Sequence, residues 1–291
     1  AYSEMLKQAA QGELFHSDDT TGKVLSLMKE GETKNGRKGI FTTGILSKME
    51  DRMAVLYFTG RNHAGENIDD LLQKRLQGLS PPQLMCDALS RNIPKVLEVI
   101  LSNCLTHGRR NFVDIINAFP DECRHVIEVL ADVYHNDEMT KDKSMSPQER
   151  LAFHQAESKP LMDDLYTWFK QQLDEKKVEP NSGLGKAIAY MMKHWAPLTR
   201  FLEIPGAPLD NNICERALKK SIIHRKNSLF YKTQNGADVG DMFMSLIQTC
   251  NMAKENPFDY LVALQKNGPA VAANPEKWLP WNFKQSTPAP N

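Results

Sequence analysis

Two aspartates each close a short apolar run: Asp18 ends Glu13-Leu-Phe-His-Ser-Asp18, and Asp87 ends Gln83-Leu-Met-Cys-Asp87. Carboxylates at the ends of neighbouring strands can converge on one point, and hard divalent cations such as Mg²⁺ take oxygen ligands of this kind. The plainer alternative is that an Asp ends a strand or caps the next element, as Asp18-Asp19-Thr20 could. A third acid, Glu215, sits in Pro208-Leu-Asp-Asn-Asn-Ile-Cys-Glu-Arg-Ala-Leu218. Asn212 and Glu215 have capping-box spacing, yet Asp210, Asn211 and Asn212 together offer more polar groups than one helix start requires. From Arg216 to Lys232 the chain then carries six Lys or Arg (Arg216, Lys219, Lys220, Arg225, Lys226, Lys232), no acid, and the aromatic residues Phe230 and Tyr231. On a helix Lys219 lies one turn after Glu215, so a phosphate held near that carboxylate would meet a cation. A second basic knot is His107-Gly-Arg109-Arg110.

The elements that must position these residues follow from periodicity. Residues 13–18, 39–46 and 52–58 read as three strands in a meander, 67–76 as a helix and 83–87 as a fourth strand. Beyond Asn92 the period becomes helical, with helices expected near 109–119, 122–135, 147–158, 161–177, 186–202, 212–224 and 239–254. Ser146-Pro147-Gln148-Glu149 is a helix start with a capping box. Thr140–Ser146 and 179–185 read as linkers, and the chain ends in a proline-rich tail.

Composition narrows the class. The 291 residues are 41% hydrophobic and 25% charged, which suits a globular protein rather than a disordered or fibrous one. No apolar run reaches the roughly 18 residues of a membrane helix. Thirty-six Lys+Arg against 36 Asp+Glu give zero net charge, which taken alone disfavours a polyanionic partner. Charge is nonetheless segregated, with acids concentrated between Asp121 and Glu138. Five scattered cysteines without a C-x-x-C pair fit reduced thiols in a cytosol. The eight histidines lack zinc-site spacing, and there is neither a Gly-rich phosphate loop nor a G-x-S-x-G elbow. The chain opens at Ala1 without Met, as a piece of a longer protein would.

Four segments in order resemble the insertion sequence 66 family of DDE-type transposases: His16-Ser-Asp-Asp-Thr20, Asn103-Cys-Leu-Thr-His-Gly-Arg-Arg-Asn-Phe112, Leu209-Asp-Asn-Asn-Ile-Cys-Glu-Arg-Ala-Leu-Lys219 with Arg225-Lys-Asn, and Trp278-Leu-Pro-Trp-Asn-Phe283. Where the family usually has Asp-Gly-Tyr at its second acid, Asp87 here precedes Ala88-Leu89-Ser90, so its assignment rests on position. The resemblance implies an α/β fold: a ribonuclease-H-like mixed sheet core with a large all-helical insertion between the second Asp and the Glu. It places the first part of the core at 1–113, the insertion at 114–200, the second part with the Glu-bearing helix at 201–255, and a C-terminal helix and tail at 256–291.

It further implies that Asp18, Asp87 and Glu215 are catalytic and hold two Mg²⁺ ions, with Mn²⁺ able to substitute. The activity implied is cleavage and strand transfer of a bacterial insertion sequence. Arg216, Lys219, Lys220, Arg225, Lys226, Arg109 and Arg110 would contact DNA, with Asp19, His107 and Asn212 as auxiliary candidates. Implied partners are DNA, a second copy on DNA and accessory proteins of the element, with no membrane, in a bacterial cytoplasm near the nucleoid. Two rivals are an inactive DNA-binding derivative and a ribonuclease-H-like nuclease without strand transfer.

Overall fold

Runs buried on both faces around Phe15, Leu46 and Val55 build three antiparallel strands, β1 (Leu14–Thr21), β2 (Phe41–Met49) and β3 (Arg52–Gly60). With β4 (Gln83–Cys86) and β5 (Ile100–Asn103) they form a mixed five-stranded sheet in the order β3-β2-β1-β4-β5. This is a computed structural model describing residues 1–30 and 36–287; the proline-rich end of the tail, 288–291, lies outside the described residues. The helices are α1 (Tyr2–Ala9), α2 (Leu25–Glu30), α3 (Ala64–Leu72), α4 (Leu105–Val113), α5 (Pro120–Asp142), α6 (Pro147–Phe153), α7 (Lys159–Asp174), α8 (Gly183–Lys193), α9 (Trp195–Leu198), α10 (Asn212–Ser228), α11 (Gln234–Met252), α12 (Pro257–Lys266), α13 (Gly268–Ala273) and α14 (Phe283–Ser286). The chain divides into two units, one of residues 1–84, 89–100 and 212–291, the other of 85–88 and 101–211.

In the sheet unit, α10 packs on β1 and β2 through Cys214 and Leu218, which join Leu46, Val55 and Tyr57 in a buried apolar cluster. Strand β3 is an edge of the sheet, and an unpaired edge invites association with other strands. Here α11 covers it. Asp241, Ser245 and Thr249, one helical turn apart, accept the backbone N–H groups of Thr59, Tyr57 and Val55 respectively. The helical period of four is thereby matched to the strand period of two. Burial raises the Asp241 carboxyl to about 7, although hydrogen bonds from Thr59 pull the other way. The C-terminal Trp278-Leu-Pro motif is buried, with the Trp278 carbonyl accepting from Tyr260 Oη at 2.9 Å, which makes it a packing element of this unit.

The helical unit has its own apolar core, built among others from Phe112, Val126, Leu130, Phe169, Ile188 and Phe201. The polar stretch expected to be a linker after Thr140 instead continues α5 to Asp142. The reason is local: Asp137, almost fully buried, pairs with Lys141 and Arg150, each at 2.5 Å, so these polar residues are spent on a packed cluster. Burial would raise the Asp137 carboxyl, but the hydrogen bond to His154 and the two cations outweigh it and hold the group well below the carboxylate range. His154 Nδ1 also meets Ser158 Oγ at 2.9 Å within a one-turn π-helix. This Ser-His-Asp set is buried throughout, so it ties helices together and has no access to a substrate.

Two further expectations are corrected. The single helix over 186–202 is broken into α8, α9 and a 3₁₀ turn, because Pro197 cannot donate to a helical ladder. The helix expected over 109–119 ends at Val113. Strand β5 and helix α1 had no expectation, being too short for period to identify.

Candidate active site on the sheet

Asp18 and Asp19 are consecutive on β1 and therefore point to opposite faces of the sheet. Register assigns the faces. Asp18 pairs with Gly44, and a Cβ at Gly44 would lie 3.0 Å from the Leu218 side chain of α10. Asp18 is thus on the α10 side, half-buried, its Oδ1 accepting the Asp19 backbone N–H at 2.8 Å. Asp19 faces α3, where its carboxylate accepts from Thr43 Oγ1 at 2.6 Å and from the Ala64 backbone N–H at 3.1 Å, with His63 Nδ1 also at 3.1 Å. An acid at the first turn of a helix is favoured by the exposed N–H groups and the helix dipole. Asn67 Nδ2 extends the network by donating to Thr43 Oγ1 at 2.7 Å.

The row Asp18–Gly44–Tyr57 runs across three strands beneath α10. The missing side chain at Gly44 lets the helix close on the sheet. The Cys214 thiol reaches the Gly44 carbonyl at 3.4 Å, and Tyr57 Oη donates to the Ala217 carbonyl at 2.8 Å. Glu215 follows Cys214 directly, so its Cα is fixed beside the residue that seats the helix on that row. Gly44, Tyr57 and Cys214 were not among the sequence candidates. The available signal was an isolated glycine inside a strand, which marks close backbone approach.

Along α10, Arg216, Lys219, Lys220 and Lys226 are exposed, and among the described residues none of them is in an ion pair. Arg225 is different: its guanidinium is half-buried and lies 3.4 and 3.2 Å from the hydroxyls of Thr20 and Thr21, at the end of the strand that bears Asp18. Asn212 begins this helix.

The remaining candidates belong to the helical unit. Asp87 follows β4, and its charge adds to burial in pushing the Tyr190 hydroxyl up to about 12. Asn103 Nδ2 lies 3.4 Å from the Asp87 carbonyl, a long contact that holds the backbone there. His107, Arg109 and Arg110 are on α4. Gly108 lets α8 approach, since a Cβ there would sit 2.5 Å from Met191 Sδ. Arg109 lines a cleft with Tyr134, His135, Glu138 and Lys141, while Arg110 is exposed.

Asp18 and Glu215 are each half-buried and each carries carboxylate oxygens, the ligand type that hard divalent cations take. The five cysteines are all buried and none of them is in a disulfide. No helix among the described residues is long and apolar enough to cross a membrane.

Residues 1–239 match the family model described as Transposase IS66 family. Among curated proteins, the chain is 31% identical over 189 residues to the uncharacterized protein y4jD of Sinorhizobium fredii, a match covering 63% of this chain and 36% of that one. It is 27% identical over 302 residues to the uncharacterized protein y4hP of the same organism, covering 95% of this chain and 52% of the other. The chain thus spans about half or less of the length of these relatives.

Proposed function

The chain belongs to the IS66 family of transposases, and on that premise we propose that it carries the catalytic region of a DDE-type DNA transposase, with Asp18, Asp87 and Glu215 as its acids. The observation that carries the proposal is the seating of the Glu215 helix on the Asp18 face of β1 through Gly44. The strand order β3-β2-β1-β4-β5, with three antiparallel strands leading, supports a ribonuclease-H-like core.

The three carboxylates would hold Mg²⁺, or Mn²⁺ in its place. Bound there, the cations supply Lewis acidity toward a phosphodiester and lower the pKa of an attacking hydroxyl. The chain's own task is to fix the acids on rigid elements. Asp18 is set by the strand ladder, Glu215 by the packing of Cys214 and Leu218, and Asp87 by the end of β4. Arg216, Lys219, Lys220, Arg225 and Lys226 bind backbone phosphates of the DNA, as do Arg109 and Arg110 of the helical unit. Neutrality over the whole chain is compatible with this, because the run from Arg216 to Lys232 carries six cations and no acid. A second copy that holds the other element end, accessory proteins of the same element and a place near the nucleoid belong to the same reading.

The test is metal-dependent cleavage and joining of DNA carrying the element ends. Asp18→Asn and Glu215→Gln each lower the rate by a thousandfold or more, on the order of the several kcal/mol that metal-ion catalysis supplies, with DNA binding kept. Wild-type activity in the Glu215→Gln protein would overturn the assignment. Cleavage without joining would identify a nuclease, and binding without cleavage an inactive derivative.

A further inference from the structure

The basic segment ends in an apolar tip that phosphate contacts do not explain. Leu229 and Phe230 are 61% and 45% exposed, directly after α10 and inside the acid-free run Arg216–Lys232. Leu229 has φ +63°. The other described non-glycine residues with positive φ are Glu50, Ser144, Lys176 and Lys254, all polar. A branched apolar residue in this region is strained, and such strain persists only where the surroundings impose it. They do so here from both sides. The Leu229 N–H bonds the Arg225 carbonyl at 2.8 Å, closing the helix. The Tyr231 N–H bonds the Lys23 carbonyl at 2.9 Å, and the Tyr231 carbonyl accepts from Leu25 at 2.9 Å, so the chain is pinned again two residues later. Tyr231 is further fixed by stacking on His224, with ring centroids 5.6 Å apart. Between the pins only Leu229 and Phe230 project. Exposed Lys23, Lys226 and Lys232 lie close to the tip in sequence or through these bonds.

We propose that Leu229 and Phe230 form a rigid wedge that stacks on an unpaired or unstacked DNA base, while the flanking cations hold the phosphates on either side. Charge complementarity selects the partner: an apolar tip flanked along the chain by Lys226 and Lys232, with no acid in the run, fits a polyanion that also presents flat apolar faces. Apolar side chains inserted at base steps, and bases stacked on aromatic rings, are established ways of gripping distorted nucleic acid. The proposal rests on the DNA reading above, and it adds to it a preference for locally opened DNA.

The experiment compares binding of the full chain to two duplexes of equal length, one fully paired and one with a single unpaired 2-aminopurine. The wild-type chain binds the second about tenfold more tightly, in line with one base–aromatic stack, and the probe's fluorescence changes as its stacking partner is exchanged. Leu229→Gly with Phe230→Ala abolishes the preference and leaves the salt dependence of binding unchanged, because every cation remains. Phe230→Trp restores the preference. Should the double variant lose its cooperative unfolding transition, Phe230→Ser alone carries the comparison. An undiminished preference in the folded variant, or equal wild-type affinity for the two duplexes, overturns the wedge. Failure of the folded wild-type chain to bind either duplex overturns the DNA reading itself.

Discussion

The two faces of the sheet at β1 use the same residue type for opposite ends. On the α3 face Asp19 is consumed: a threonine hydroxyl, a histidine nitrogen and a helix N-terminus all converge on its carboxylate. On the α10 face Asp18 stands beside a glycine that draws in the helix bearing Glu215. Adjacent identical residues therefore differ in surroundings because a strand alternates its faces and each face has been given a different helix. The lesson is that an Asp-Asp pair on a strand is two separate placements, one beneath each helix.

The largest expected effect that separates the faces is on the reaction. Asp18→Asn removes about a thousandfold or more of the cleavage rate while the unfolding midpoint stays within about 1 kcal/mol of wild type. Asp19→Ala does the reverse. It strands the Ala64 N–H and the Thr43 hydroxyl and costs about 3 kcal/mol, read by denaturant unfolding. A folded Asp19→Ala protein that lost activity while keeping its stability would erase the distinction.

Gly44→Val tests the α10 face without touching a carboxylate. Its Cβ would meet Leu218 at 3.0 Å with two further methyl groups behind it, so the helix must move. The expected cost is about 1–3 kcal/mol, with cleavage reduced more than DNA binding. Unchanged cleavage would show that α10 need not sit tightly on the Asp18 row.

The α11 edge clasp gives a pH signature. With Asp241 raised to about 7 from an ordinary value of 3.8, the folded state keeps a proton that the unfolded chain releases. Its contribution to stability is present at low pH and is lost as pH rises from about 4 to about 7. Asp241→Asn, which keeps an acceptor for the Thr59 N–H, removes that slope. A variant whose unfolding midpoint retains the full wild-type slope over this window would contradict the assignment. The smallest effect concerns the cations: neutralising Lys219, Arg225 and Lys226 together lowers the slope of log affinity against log salt by about 2.7, near 0.9 per phosphate contact. An unchanged slope would move the DNA surface elsewhere.

Much of this arrangement was legible in the sequence. The three leading strands, the helix after them and the strand ending before Asp87 follow from period, and the Glu215 segment and the basic run can be read directly. What period could not supply was the sheet partner of a glycine. Gly44 sits in an ordinary β run, and its role depends on Leu218, distant in sequence and brought over it by the fold. Asp19 was grouped with Asp18 because proximity in sequence hides the alternation of faces. The polar stretch from Thr140 to Ser146 read as a linker because charge usually marks solvent, whereas α5 runs on to Asp142, with Lys141 paired to an Asp137 that Arg150 and His154 also hold. Strand β5 is four residues long and carries no alternation to detect.

The most direct test of the central claim is a crystal structure of the chain grown with Mn²⁺ and read by anomalous scattering. The account predicts a peak bound by the carboxylates of Asp18 and Glu215, with Asp87 joining them and oxygen ligands at about 2.0–2.6 Å. A Mn²⁺ peak absent from those carboxylates, or held by Asp19 instead, would contradict it.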